Sequence, residues 1–273
     1  MDRRLTPANS RAALEGMRGK VDAPRFTKGE TAQVVLPLVD LLRSPGGARE
    51  RQLLLGDGFL VIDRHEGFAF GQSTKDGFCG YLPENVLGVA GVPTHWLTAP
   101  ASHLYSAPKV QAPETASLSF GARLTVTATA GNFSETPFGF VPTCHLRAIG
   151  NWFSDPVEVA EKFLGTPYLW GGNSRAGIDC SGLAQASLLA CGLACPGDSD
   201  LQQAVGQAIP DGAALQRGDL IFWKGHVAIA RNATDMIHAT GHGMTTLIEN
   251  TAAAIARIIA QGEGPVIARR RPV

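Results

Sequence analysis

Residues 166–182, Thr-Pro-Tyr-Leu-Trp-Gly-Gly-Asn-Ser-Arg-Ala-Gly-Ile-Asp-Cys-Ser-Gly, constrain this chain more than any other stretch. A glycine-rich, turn-prone approach ends at one cysteine, Cys180, and an alanine- and leucine-rich pattern of helical period starts directly after it. Leu183, Ala184, Ala186, Ser187 and Leu188 fall along one helical face, and Gly192 supplies a stop. The pattern predicts Cys180 at a helix N-terminus. There, free backbone N–H groups and the positive end of the helix dipole favour a thiolate over a thiol, the state that nucleophilic chemistry by cysteine requires.

The rest of the composition bounds the setting. A length of 273 residues fits two or three domains, and balanced charge, with 24 Lys+Arg against 24 Asp+Glu, argues against a nucleic-acid or membrane-surface partner. Five cysteines, with no CxxC pair and no His/Cys cluster at zinc-ligand spacing, imply reduced thiols in a cytoplasmic setting and no metal or cofactor. The N-terminal Met1-Asp2-Arg3-Arg4 has no apolar run behind it, so neither a secretory leader nor a membrane span is expected.

Thirty-two glycines and 17 prolines point to many turns. After a polar lead-in over residues 1–30, Val34–Leu38, Gly58–Ile62 and Gly80–Leu82 are predicted strands. The same grammar then returns about 60 residues later, the mark of a tandem duplication. Leu41-Leu42-Arg43-Ser44-Pro45 is matched by Leu104-Tyr105-Ser106-Ala107-Pro108. Phe78-Cys79-Gly80-Tyr81-Leu82-Pro83, with Leu87 following, is matched by Phe138-Gly139-Phe140-Val141-Pro142, with Leu146 following. That closing strand and turn resembles bacterial SH3-like barrels, which implies one small all-β barrel over residues 31–90 and another over 91–150. His65, His95 and His103 in this half receive no role.

From residue 151 the texture changes. Asp155-Pro156-Val157-Glu158 is a helix start, with Val157, Ala160, Phe163 and Leu164 on its apolar face. Beyond the Cys180 helix, strands are predicted at Leu220–Trp223, His226–Ala230 and Met236–Thr240, an α+β texture. His226 and His238 have the same parity, so they can share one sheet face. If the Cys180 helix packs on that face, His226 would hold the Cys180 proton and His238 would orient His226 through its far ring nitrogen. His242, between two glycines, competes with His238 for the orienting place. Cys79, Cys144, Cys191 and Cys195 are expected as packing or turn thiols.

Taken together, Tyr168-x-Trp170-Gly171-Gly172, Asp179-Cys180-Ser181-Gly182, Gly218-Asp219-Leu220, His226-Val227-Ala228-Ile229 and Ile237-His238-Ala239 resemble the NlpC family of cell-wall cysteine peptidases, over roughly residues 155–270. The resemblance implies an α+β papain-like catalytic domain over residues 151–273, preceded by two small all-β SH3-like barrels. It implies a murein-derived peptide as substrate, cut between γ-D-glutamate and diaminopimelate or lysine. The family's catalytic cysteine falls on Cys180, its base on His226 and its third polar residue on His238. Substrate contacts fall on Tyr168, Trp170, Asp179 and Ser181, with the Tyr168 phenol beside the thiol as an oxyanion donor or substrate contact. In members with an N-terminal SH3-like module, that module narrows one end of the groove and the substrate needs a free N-terminal L-Ala, whose ammonium Asp179 would meet. A helix N-cap suits Asp179 equally well. The absence of a leader in the sequence implies recycling of short murein peptides. The rivals are another papain-like amide hydrolase, such as a muramoyl-L-alanine amidase, and a peptide-binding module with a vestigial site.

Overall fold

The computed structural model describes residues 1–210 and 212–273 and divides into two units, Met1–Ile149 and Gly150–Val273. In the first unit a seven-stranded antiparallel sheet runs in the order Arg49–Leu54, Leu38–Leu42, Cys79–Pro83, Phe68–Ser73, Gly58–His65, Glu30–Val34, Leu87–Val89. Its buried face is apolar at alternate positions, and Val34, Leu41, Leu53, Phe59, Phe78 and Leu82 form one core. The strand predicted over Val34–Leu38 is instead a break between two strands. Pro37 has no N–H to give a ladder and restricts Leu36 before it, so the chain turns there.

The second β-region repeats the order. Glu114–Ser119, Ala101–Tyr105, Gly139–Pro142, Phe133–Thr136 and Ala128–Ala130 follow the sequence of neighbours seen in the first five strands above. Both sets carry an irregularity at the same place, between Leu41 and Leu42 and between Leu104 and Tyr105. Both close with a proline, a 3₁₀ turn (Glu84–Val86, Thr143–His145) and a three-residue strand. The two regions share a seam: Leu55 packs into the second core with Leu97, Leu104, Leu124 and Val141, and its carbonyl accepts from Arg123 N at 2.8 Å. Gly56 next to it has φ +83°, and a Cβ there would lie 2.1 Å from the Arg123 carbonyl oxygen.

The polar lead-in is tied down by two carboxylates, Glu50, which accepts from Arg3, and Asp63. Asp63 is buried and accepts from Arg11 and Arg25 at 2.9 and 2.8 Å, while Ala12 packs beside Ile62 and Phe70.

In the second unit the described residues form a six-stranded antiparallel sheet, ordered Gln207–Ala208, Ala268–Arg271, Leu220–Trp223, His226–Ala230, Asp235–Thr240, Thr245–Asn250. The central strands are buried on both faces and so are apolar almost without alternation. On one face Ile221, Trp223, Ala228, Ala230 and Met236 pack against Ala254 and Ile258 of the Thr251–Ala260 helix. The Cys180–Ala190 helix, capped by Asp179, packs on the His226–Ala230 and Asp235–Thr240 strands. It is buried nearly all round rather than along one stripe, with Ala186 and Leu189 partly open.

Gly56→Ala combines a left-handed φ with a backbone collision, whereas at Gly67 (φ +78°) an added methyl would meet nothing within 4 Å. Strain of about 1–3 kcal/mol is expected at Gly67→Ala from φ alone and a clearly larger loss at Gly56→Ala, read as urea midpoints. Equal losses would show that the Leu55–Arg123 seam yields.

Candidate active site

Cys180 opens its helix because Asp179 caps it. Asp179 Oδ1 accepts from Gly182 N at 2.6 Å and from Ser181 Oγ at 2.9 Å, and Oδ2 accepts from Gly171 N at 2.9 Å. One carboxylate thus fixes the helix start and the glycine loop before it. The glycines let these segments touch: a Cβ on Gly182 would lie 2.5 Å from the Gly172 carbonyl oxygen, and one on Gly172 the same distance from that of Gly177. Arg175 ties the loop to Thr166 and to the Leu164 carbonyl.

The histidines come from neighbouring strands. Ile229 pairs with Ile237 and Ala230 with Met236, a register that places His226 and His238 on one face, two positions apart along the strand. His226 Nε2 lies 2.9 Å from His238 Nδ1, and His238 Nε2 lies 3.1 Å from Glu249 Oε2. His238, rather than His242, is therefore the partner of His226; His242 sits on the following turn with its Nδ1 3.2 Å from Gln261 Nε2. The sequence pattern suggests the Cys180 helix over the histidine face. The structure puts the Thr251–Ala260 helix there, and the thiol meets the sheet at its end, with Cys180 Sγ 3.9 Å from the Gly225 carbonyl oxygen.

Burial governs the electrostatics. It pushes the Cys180 thiol up to about 12, helped by the Asp179 carboxylate, and the backbone N–H groups of Val227, Ser181 and Cys180 offset this only in part. Burial likewise lowers His226 to about 3, and its neighbours His238 and Arg257 further disfavour a second positive charge there. It lowers His238 to about 4 against the opposing pull of Glu249. The thiolate expected from the helix start is thus opposed: burial pushes both the Cys180 thiol and the His226 ring toward their neutral forms. The helix end favours negative charge by about 0.3–1 kcal/mol, which desolvation exceeds.

Of the other predicted residues, Tyr168 is half-buried, and its phenol is held above its usual range by burial and then by the nearby charges of Cys180 and Asp179. Its loop is pinned by Tyr168 N donating to the Met244 carbonyl at 3.0 Å. Ser181 is buried with its hydroxyl on Asp179, and Trp170 is 70% exposed. Asp219 is buried, and its carboxylate takes two hydrogen bonds from Arg271 at 2.8 Å each and one from Gln216 N at 2.7 Å. Sequence reasoning misses Glu249 and Arg257, because it assigns neither the Thr245–Asn250 strand nor the helix after it; the alternation around Leu247 and the Asn250 cap are the available signals. Among the described residues no group of three or more His, Cys, Asp or Glu is arranged to hold a metal.

A helix-borne thiol set against a histidine pair on an antiparallel sheet defines the class of papain-like cysteine peptidases. Residues 165–259 match the model of the NlpC/P60 family, and residues 41–87 match that of the bacterial dipeptidyl-peptidase Sh3 domain. The C-terminal unit is a cysteine-peptidase domain of the NlpC/P60 family, preceded by an SH3-like all-β region. The chain is 29% identical over 259 residues to the γ-D-glutamyl-L-lysine dipeptidyl-peptidase of Bacillus cereus, covering 80% of this chain and 74% of that one. It is 37% identical over 84 residues to dipeptidyl-peptidase 6 of Lysinibacillus sphaericus, a match spanning only 31% of either chain. The crystal structure of an NlpC/P60 family protein from Bacillus cereus superposes with a TM-score of 0.74 at 22% identity, over 89% of this chain and 99% of that one, and shows the shared fold.

Because both rings stay neutral when folded, the unfolded chain takes up protons near pH 6.5 that the folded chain refuses until about pH 4 and about pH 3. Stability is therefore fully present above about pH 6.5 and declines as pH falls from there toward 4. The urea midpoint should drop between about pH 7.5 and about pH 4.5, less steeply in His226→Asn. A slope unchanged by that substitution would contradict a neutral His226.

Proposed function

We propose that this protein hydrolyses the γ-D-glutamyl amide to diaminopimelate or lysine in short murein peptides with a free N-terminal L-Ala, with Cys180 as nucleophile and His226 as base. The observation that carries this reading is the buried Cys180 thiol at a capped helix start, beside the hydrogen-bonded His226–His238 pair. The relatives named as dipeptidyl-peptidases and the matched Sh3 domain support the substrate class.

Starting from a neutral pair, the thiol proton passes to His226 as Sγ attacks the γ-carbonyl carbon. The helix N-terminus and the Tyr168 hydroxyl are the donors available to the tetrahedral oxyanion. Collapse breaks the C–N bond, His226 returns the proton to the departing amine, and water later hydrolyses the thioester. Asp179 commits three of its about four acceptor sites to the protein itself, and the remaining one is what a substrate ammonium would use. Ser181, whose hydroxyl is on Asp179, adjoins that corner, and Trp170 directly precedes Gly171, whose N–H donates to Asp179. Among the described residues no cysteine is in a disulfide, and the setting we propose is a reducing, cytoplasmic one in which short peptides are recycled.

The test compares L-Ala-γ-D-Glu-diaminopimelate with its N-acetylated form, using wild type and Cys180→Ala. Expected is release of diaminopimelate from the free peptide, at least about a hundredfold slower release from the acetylated one, and loss by at least about a thousandfold in the variant. Equal cleavage of both peptides would remove the free-amine requirement. Activity surviving in Cys180→Ala would overturn the nucleophile.

A further inference from the structure

The histidine pair does not end at His238. Glu249 lies on the Thr245–Asn250 strand, where His238 pairs with Leu247 and Met236 with Glu249, so the carboxylate shares the face of His238 one diagonal step away. Arg257, on the helix that follows, grips it from behind: Nη2 donates to Oε2 at 2.7 Å and Nε to Oε1 at 3.1 Å. Burial alone would raise the Glu249 carboxyl, but the hydrogen bonds and charge of Arg257, with His238 assisting, hold it below its ordinary value. It is a carboxylate, and a carboxylate only accepts.

We infer that the Glu249–Arg257 pair is a positioning device that sets the proton arrangement of both histidines, resting on the proposed base role of His226. The chain of hydrogen bonds allows one assignment for two neutral rings. Glu249 Oε2 accepts, so His238 Nε2 carries the proton and donates. His238 Nδ1 then has only a lone pair and accepts from His226 Nε2–H. His226 Nδ1 is left as the unprotonated nitrogen, on the side of the ring nearest its own backbone, and the thiol lies against that backbone at Gly225. The base is thereby aimed before substrate arrives.

The charged and titratable groups facing His238 are His226 from the adjoining strand, Glu249 from the other, Arg257 from the helix and His242 from the turn. The His238 side chain has no exposed surface, so no bulk water competes for Nε2 and its tautomer depends on these neighbours. Arg257 has a second part in this. An unneutralised Glu249 would draw a proton onto His238 and make it a double donor, which would set two N–H groups against each other at His226. With Arg257 bound to both oxygens, the carboxylate accepts from His238 without charging it.

Two readouts test the device. In wild type, nitrogen-15 spectra of labelled histidine near pH 7 should show both His226 and His238 as neutral Nε2–H tautomers; Nδ1–H at either ring overturns the assignment. Glu249→Gln keeps the shape but faces either Arg257 or His238 with an amide N–H. It should lower kcat at least about tenfold with KM within about twofold, and slow peptide-resolved alkylation of Cys180 by iodoacetamide near neutral pH. The further change Arg257→Met removes the competing donor, lets the oxygen of the introduced amide accept from His238 and should recover most of the lost alkylation rate. No loss in Glu249→Gln, or a double variant no better than the single one at equal folded fraction, would show that the pair only braces the fold. The spectra and the alkylation use no peptide, so they stand or fall apart from the substrate proposal.

Discussion

The buried Asp179 carboxylate is the constraint on which the site depends. Its two oxygens gather the backbone N–H of Gly171, the backbone N–H of Gly182 and the Ser181 hydroxyl, binding a glycine loop to a helix start across eight residues. Loss of such a cap costs a helix about 1 kcal/mol, and here it would also release the loop that carries Tyr168 and Trp170. The glycines at 172 and 182 go with it, because backbone can lie on backbone only where no Cβ intervenes, while a Cβ on Gly177 would run into the Leu169 side chain. Cys180 is placed by these contacts rather than by contacts of its own sulfur.

Burial, the consequence of that placement, then sets the chemistry. A thiol at a helix start is commonly taken as acidified, but Cys180 is buried next to the Asp179 carboxylate, and both effects favour the neutral form. Burial likewise pushes His226, whose chain neighbour Gly225 the thiol touches, toward its neutral form. A neutral pair needs a base whose lone pair is already directed at the thiol, and the hydrogen-bond chain through His238 to Glu249 supplies that direction. Positioning and electrostatics thus meet in one row of side chains drawn from three neighbouring strands and the following helix.

Much of this is legible in the sequence. The Asp179–Cys180 helix start, the three central strands and the shared face of the two histidines follow from capping and parity rules that act over a few residues. The recurring Gly-aromatic-Leu/Val-Pro signature exposes the second β-region in the same way. What stays hidden is non-local. Val34–Leu38 has strand composition, but Pro37 decides the outcome; the helix that covers the histidine face comes from the chain's end; and the thiol's protonation follows from desolvation that no short motif encodes. Glu249 and Arg257 stand eight residues apart in strand and helix, and only tertiary packing makes them a pair behind His238.

The central claim is that the acyl group is carried on Cys180, and rapid-quench mass spectrometry of the protein mixed with L-Ala-γ-D-Glu-diaminopimelate tests it most directly. The account predicts an L-Ala-D-Glu adduct on the peptide containing Cys180, formed as diaminopimelate is released and lost as the dipeptide appears. Turnover with no adduct at Cys180 at any quench time, or an adduct on another cysteine that tracks turnover, would contradict it.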